Sequence, residues 1–197
     1  MMFIQNCSKL RIIEMSLTNI TLEEKNTFFD NIKAYFLYQR AFPKEEKKPY
    51  WLIRKCQRLG YGRNFIIKDE SGKFLGIAFI ILNKSLALLD YFAIDSKLRG
   101  QGVGTLALAK IKERFSDIPL VLEIEDPELP SKNREDRIKR AMFYEKCGMI
   151  TMNYRISLFG VDMRILSSGA NVSYEQYHNL LSEVFGEHFS RNVYLLK

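Results

Sequence analysis

The stretch Arg99-Gly-Gln-Gly-Val-Gly104, followed by Thr105, carries the clearest chemistry in the chain. Glycines at 100, 102 and 104 let successive backbone N–H groups turn the same way and let the backbone approach a ligand closely. A helix opening directly after them adds unpaired N–H groups and the positive end of its dipole, so the whole loop suits an anion such as a pyrophosphate. Two familiar phosphate loops do not fit. A Walker A loop needs Gly-Lys-Ser/Thr, which the chain lacks, and the dinucleotide fingerprint needs a third glycine where Thr105 stands. That fingerprint also begins tight against a strand end, whereas Ser96-Lys-Leu-Arg99 intervenes here. Glu123, at about the right distance for a ribose-binding acid, keeps a dinucleotide reading open. A glycine-rich turn without a ligand is the plain alternative.

The second chemical signal is a pair of carboxylates. Leu120 to Ile124 reads as an apolar strand, yet it carries Glu123 and is followed by Glu125. A carboxylate in such a place needs a partner, and the period of two sets both on one strand face. A solvated strand end is the alternative. The two histidines, His178 and His188, both lie near the C-terminus, and neither HExxH nor GxSxG occurs. A zinc protease and an α/β-hydrolase are therefore poor readings. Cys7, Cys56 and Cys147 are odd in number and form no CxxC pair, which fits a reducing compartment and leaves no disulfide framework or metal site to expect.

These residues need a scaffold, and 197 residues with 47% apolar content supply one ordinary domain. Thirty Lys and Arg against 23 Asp and Glu leave a charge of +7, which favours an anionic partner: nucleic acid, a membrane surface or a phosphorylated cofactor. A plainly basic surface fits as well. The longest apolar run, Phe74 to Leu82, is far short of the roughly 18–20 residues of a membrane span, and residues 1–7 lack the pattern of a secretory signal. A soluble, cytoplasmic protein is expected.

Strands are expected at Lys9–Met15, Asn64–Lys68, Phe74–Leu82, Leu86–Ile94, Leu120–Ile124, Met149–Leu158 and Val161–Leu166. Helices are expected at Leu22–Tyr38 with Thr21 as N-cap, Tyr50–Leu59, Gly104–Phe115, Asn133–Lys146 and Ser173–Phe185. Gly148 stands where a helix C-terminus needs a left-handed residue. The class is mixed α/β, with antiparallel hairpins at both ends and a β-loop-α-β unit between them.

Arg99, Gly102 and Gly104 match the [Q/R]-x-x-G-x-[G/A] signature of the GNAT superfamily of acetyl-CoA-dependent N-acetyltransferases. Ala141-Met-Phe-Tyr-Glu-Lys-Cys-Gly-Met149 resembles its A-x-x-[FLY]-Y-E-K-x-G-[FM] helix end, with one spacer fewer before the tyrosine. The resemblance covers roughly residues 9–166. It implies a single domain over 1–197 with a C-terminal helical extension at 167–197. It also implies a mostly antiparallel, twisted sheet of about seven strands, with its fourth and fifth strands parallel and splayed and helices on both faces.

The same resemblance assigns roles. Arg99, Gly100, Gln101, Gly102, Val103, Gly104 and Thr105 would hold the pyrophosphate of acetyl-CoA, and backbone groups of Phe92 and Ile94 would hold its pantetheine arm. Tyr144 matches the frequent general acid. Leu122-Glu-Ile124 resembles the Leu-Glu-Val of N-terminal acetyltransferases, making Glu123 the first choice of base and Glu125 the second. The family's first helices cover the acceptor side, where Glu45, Glu46, Trp51 and Tyr91 would meet an amine. Many members carry an Asn where Ile138 stands, so cofactor contacts from that helix are not expected to follow the family. Arg134, Arg137, Lys139 and Arg140 read as a basic helix face, and Lys97 and Arg99 flank the pyrophosphate loop.

The expected activity is transfer of an acetyl group from acetyl-CoA to a primary amine of a small molecule or protein, without a metal. Two alternatives stay open: a coenzyme A binder with a regulatory, non-catalytic role, and a transferase acting on charged tRNA. No aromatic-basic stripe supports direct RNA recognition. A homodimer is left open.

Overall fold

The computed structural model describes residues 19–24, 27–44 and 46–196. The expected strand at Lys9–Met15 lies outside them. The first described element is β1 (Ile20–Glu23), which pairs antiparallel with β2 (Gly62–Asp69) from Ile20 opposite Asp69. A helix beginning at Leu22 is therefore corrected. The helix α1 spans Phe28–Ala41, and its N-cap is Thr27 rather than Thr21. Thr27 Oγ1 accepts from the Asp30 N–H at 3.1 Å while Asp30 Oδ2 accepts from the Thr27 N–H at 3.3 Å. This reciprocal capping box satisfies two otherwise unpaired donors and outweighs the earlier threonine.

After α2 (Tyr50–Arg58), strands β2, β3 (Phe74–Leu82) and β4 (Ala87–Ile94) form an antiparallel meander. A 3₁₀ turn at Ser96–Leu98 and the glycine loop lead into α3 (Val103–Arg114), then β5 (Leu120–Glu125) and α4 (Arg134–Lys146). The hairpin of β6 (Ile150–Leu158) and β7 (Val161–Ser167) precedes α5 (Tyr174–Phe185), a short α6 (Glu187–Ser190) and β8 (Val193–Leu196). The eight strands run in the order β1-β2-β3-β4-β5-β7-β6-β8. β8, which like β1 lies outside the expected set of strands, caps the edge by pairing with β6 at Leu158 to Arg155. Among the described residues no helix is long and apolar enough to cross a membrane.

Helices cover both faces. On the front, Val103, Ala107, Leu108 and Ile111 of α3 and Ala141 of α4 pack over Leu89, Leu122 and Ile124. On the back, Tyr38 of α1 and Ile53 of α2 pack over Ile77, Phe79 and Tyr91. Beside them Tyr177, Leu180 and Leu181 of α5 pack over Leu88, Val121 and Ile165.

One irregularity decides what lies at the centre. Ile80 pairs with Leu89 but Phe79 pairs with Tyr91, so Asp90 is an extra, bulged residue in β4. The bulge breaks the period of two: Leu89 faces front, yet Tyr91 faces back. It sits where β4 and β5 part company. Their parallel pairing consists of Ala87 opposite Leu120 and Leu88 opposite Val121, and goes no further. From Leu89 and Leu122 onward the two strands splay.

Candidate active site

The splay leaves facing backbone edges on Phe92 to Ile94 of β4 and Leu122 to Glu125 of β5 unpaired with each other. Each strand keeps its outer neighbour, with Ala78 opposite Phe92, Gly76 opposite Ile94 and Glu123 opposite Ile165. An extended chain can therefore be received between two strands that stay anchored.

At the open end of the splay lies the glycine loop. Asp95 caps the 3₁₀ turn by accepting from the Lys97 N–H at 3.0 Å, and the chain then passes Gly100 and Gly102 at φ of +75° and +78°. Both values lie in the left-handed region that L side chains resist. Gly102 is the N-cap of α3, whose first internal bond runs from the Leu106 N–H to the Gly102 carbonyl at 3.1 Å. The amides of Val103, Gly104 and Thr105 precede that bond and point out of the helix start. Gly104 has a different reason to be glycine: a Cβ there would lie 3.3 Å from Phe143 Cζ of α4. That close approach, with Cys147 Sγ 3.9 Å from Thr105 Oγ1, sets the end of α4 against the loop. The side chains of Lys97, Arg99 and Gln101 are exposed around it. The donor set (helix-start amides, left-handed glycines and nearby cations) fits a diphosphate.

Tyr144, next to Phe143 near the end of α4, packs against the front core, and burial pushes its phenol up to about 12. Its hydroxyl therefore keeps its proton at neutral pH. Of the basic residues on α4, Arg137 and Arg140 turn toward Glu125 at 2.5 and 3.9 Å, and Lys139 faces Asp136 at 3.8 Å. Ile138 is partly buried on the same helix.

The two β5 carboxylates, though two residues apart, are not brought together. Glu125 is held by Arg137 and by Asn133 Nδ2 at 3.3 Å, both from the front. Glu123 accepts a 2.5 Å hydrogen bond from the Tyr177 hydroxyl of α5. Burial lifts its carboxyl above the ordinary glutamate range; the Lys48 charge and the Tyr177 bond pull it partway back, and the Asp90 charge adds to the rise. A carboxylate so placed is a stronger base than an exposed one.

On the back the structure adds residues that motif reasoning missed. Lys48, from the α1–α2 linker, pairs with the bulged Asp90 at 2.6 Å. Burial opposes its charge, but Asp90 and Glu123 outweigh burial and keep the ammonium protonated. Asp90 stands inside the apolar run 86–94, and the reasoning that singles out Glu123 fits it equally. Tyr177 carried no comparable signal. Of the expected acceptor-side residues, Tyr91 is buried, accepts from the Lys48 N–H and donates to the Glu46 carbonyl, both at 2.8 Å. Trp51 on α2 is 64% exposed, and Glu45 lies outside the described residues. Among the described residues no group of three or more His, Cys, Asp or Glu side chains could hold a metal ion.

The family model of the Acetyltransferase (GNAT) family matches residues 31–149. The chain belongs to the GNAT acetyltransferase family. No curated protein sequence matches it. Among solved structures, a Bacteroides thetaiotaomicron protein assigned to the GNAT family superposes with a TM-score of 0.70 at 21% identity, covering 85% of this chain and 98% of its own. Spermidine N-acetyltransferase from Vibrio cholerae, in complex with CoA and spermine, superposes at 0.58 with 15% identity over 75% of this chain and 94% of its own. A GNAT family acetyltransferase from Elizabethkingia anophelis with acetyl-CoA bound reaches 0.50 at 16% identity, over 76% and 97%. At these identities the likeness is one of fold, and the splayed sheet is that of a GNAT protein.

Proposed function

We propose that this GNAT protein transfers the acetyl group of acetyl-CoA directly to a primary amine. The observation that carries the reading is the splay after Leu88 and Val121, with the glycine nest at its open end and Glu123 on its wall. Amides 102–105, flanked by Lys97 and Arg99, bind the pyrophosphate, and the free backbone edge at Phe92 and Ile94 binds the pantetheine. An unpaired N–H on that edge stabilises the oxyanion that forms when the amine attacks the thioester carbon. Glu123, on the back, removes the amine proton. Tyr144, packed on the front, hydrogen-bonds the departing thiolate and supplies its proton. Glu125, neutralised by Arg137, is a structural charge in this scheme rather than a second base.

A reducing, cytoplasmic setting is proposed from the sequence, whose three cysteines are scattered and form no CxxC pair. We place residues 167–197 in the same domain, with α5 as the wall behind Glu123 and β8 at the sheet edge. The test is thiol release from acetyl-CoA over a panel of amines that includes spermidine and spermine, the first because Vibrio cholerae neighbours are named for it. Amine-dependent release that Glu123→Gln abolishes supports the scheme. Acetyl-CoA binding without release for any amine makes the chain a coenzyme A binder that does not catalyse.

A further inference from the structure

Among the described residues several buried or half-buried cations form ion pairs, and one is unlike the others. Lys68 meets two carboxylates, Glu23 at 2.7 Å and Asp30 at 2.9 Å. Arg137 meets Glu125, which is itself shared with Arg140 and Asn133. Lys48 meets the one carboxylate of Asp90 directly, with Glu123 attracting it from further off, and is flanked by three aromatic rings. Its ammonium lies 5.3 Å from the centroid of Tyr91, 5.3 Å from Phe185 and 5.8 Å from Phe189. One acid and three ring faces within about 6 Å is the chemistry by which proteins recognise alkylammonium ligands.

The cage walls come from two segments distant in sequence: the β4 bulge at Asp90 and Tyr91, and the α5–α6 corner with Phe185 and Phe189. They are stiff. Tyr91 is fixed through its hydroxyl, and Phe185 stacks on Phe189 with centroids 4.5 Å apart. The tenant is not. The linker backbone is pinned, with the Tyr38 hydroxyl donating to the Lys48 carbonyl at 2.8 Å. The side chain, however, is a four-carbon stem that is 17% exposed, so it can rotate out while the linker stays in place.

We propose that Asp90, Tyr91, Phe185 and Phe189 form an alkylammonium site in which Lys48 stands in for the acceptor, and that a primary amine on an unbranched alkyl chain enters by displacing it. The proposal rests on the acetyl-transfer reading for the acceptor's identity, since Glu123 borders this site. Exchange, rather than joint occupancy, follows from space. The cavity beside the pair, between Lys48, Asp90, Phe79 and Phe185, holds about 10 Å³, too little for a second ammonium.

The probe is n-butylammonium, the lysine side chain without its backbone, titrated calorimetrically into the full chain. Lys48→Ala opens the cage and leaves Asp90 unpaired. This variant binds butylammonium at least tenfold tighter than the wild type, and the amine raises its melting temperature in proportion to dose. Equimolar 1-butanol, of the same shape without charge, does neither. Adding Phe185→Ala weakens the gain several-fold. Lys48→Gln keeps most of the stem and a donor for Asp90, and covers the case in which the alanine variant does not fold. It also binds butylammonium more tightly than the wild type. A folded variant that binds no better than wild type overturns the cage. Acetyl-CoA titrated into the same proteins separates the two readings: no binding to any of them defeats the acetyl-transfer reading and leaves the butylammonium result to stand by itself.

Discussion

On the front of the splay the proposed anion site is backbone, drawn from residues 99–105 and made of amides and left-handed glycines. On the back, charge is carried by side chains at positions 48, 90 and 123, with the neutral Tyr177 hydroxyl bonded to the last; these come from a linker, a bulge, a strand and helix α5. A backbone site depends on dihedral angles that one short stretch can encode, so it tolerates changes in the rest of the chain. A side-chain site depends on packing, because each group is held by a different element and all are coupled through low dielectric. Perturbation on the front should therefore change ligand affinity locally, while perturbation on the back should change chemistry, pH response and stability together.

The sharpest break in that contrast comes from Glu123→Gln. Losing the general base lowers kcat/KM by about 10²–10⁴, while acetyl-CoA affinity measured by calorimetry stays within twofold because the nest is untouched. Retained turnover would remove Glu123 from the chemistry. Next is Arg137→Met, which strands Glu125 without its 2.5 Å partner in a side chain that is 11% exposed. Arg140 and Asn133 remain beside Glu125, so the cost falls below the roughly 3–5 kcal/mol of a fully stranded buried charge, read as a lower urea midpoint. kcat of the folded fraction should hold, and a collapse of kcat with stability unchanged would make Glu125 the base instead.

What could be read from the sequence follows the same division. The Arg99–Gly104 loop was legible because its glycines and following helix are contiguous, and the observed φ values at 100 and 102 are of the kind those glycines allow. The strand and helix order from Asn64 to Phe185 was legible from periodicity. The start of α1 was not, because Thr21 and Thr27 both make plausible caps, and pairing of Ile20 with Asp69 across the sheet decides between them. β8 was missed because four residues carry too little pattern apart from their partner β6. The Lys48–Asp90 pair and the Tyr177–Glu123 bond span 42 and 54 residues, and only the bulge and the docking of α5 bring them together. Glu123 and Glu125 keep an uninterrupted register opposite Ile165 and Met163, but spacing says nothing of which carboxylate meets Tyr177 and which meets Arg137, because packing decides that.

Tyr144→Phe tests whether the front supplies chemistry as well as binding. Turnover is expected to fall about 10–10²-fold with acetyl-CoA affinity nearly unchanged, and poorer thiol leaving groups should suffer more. Unchanged turnover would leave Tyr144 a packing residue. A smaller effect is expected from Gly102→Ala. A Cβ there meets open space, so the cost comes from holding φ near +78°, about 1–2 kcal/mol. Acetyl-CoA affinity then falls roughly tenfold as the loop relaxes, with kcat at saturation retained.

The finest test joins the pH response of the back to its packing. In Tyr177→Phe the hydroxyl that donates to the charged form of Glu123 is gone, so the carboxyl rises further above the ordinary glutamate range. The acid limb of kcat/KM, which reports the base in the free enzyme, moves to higher pH, and the alkaline plateau stays near that of the wild type. Stability has its own sign. The folded-state pKa of Glu123 lies above its unfolded value, so its contribution is fully present below the unfolded pKa and is lost as pH rises through the folded one. Removing Tyr177's hydrogen bond deepens that loss by about 1 kcal/mol. The difference in melting temperature between variant and wild type should therefore be small at acid pH and widen through the window above the ordinary glutamate value. A hydroxyl that merely fills space would give a difference independent of pH, and a kcat/KM profile that does not move.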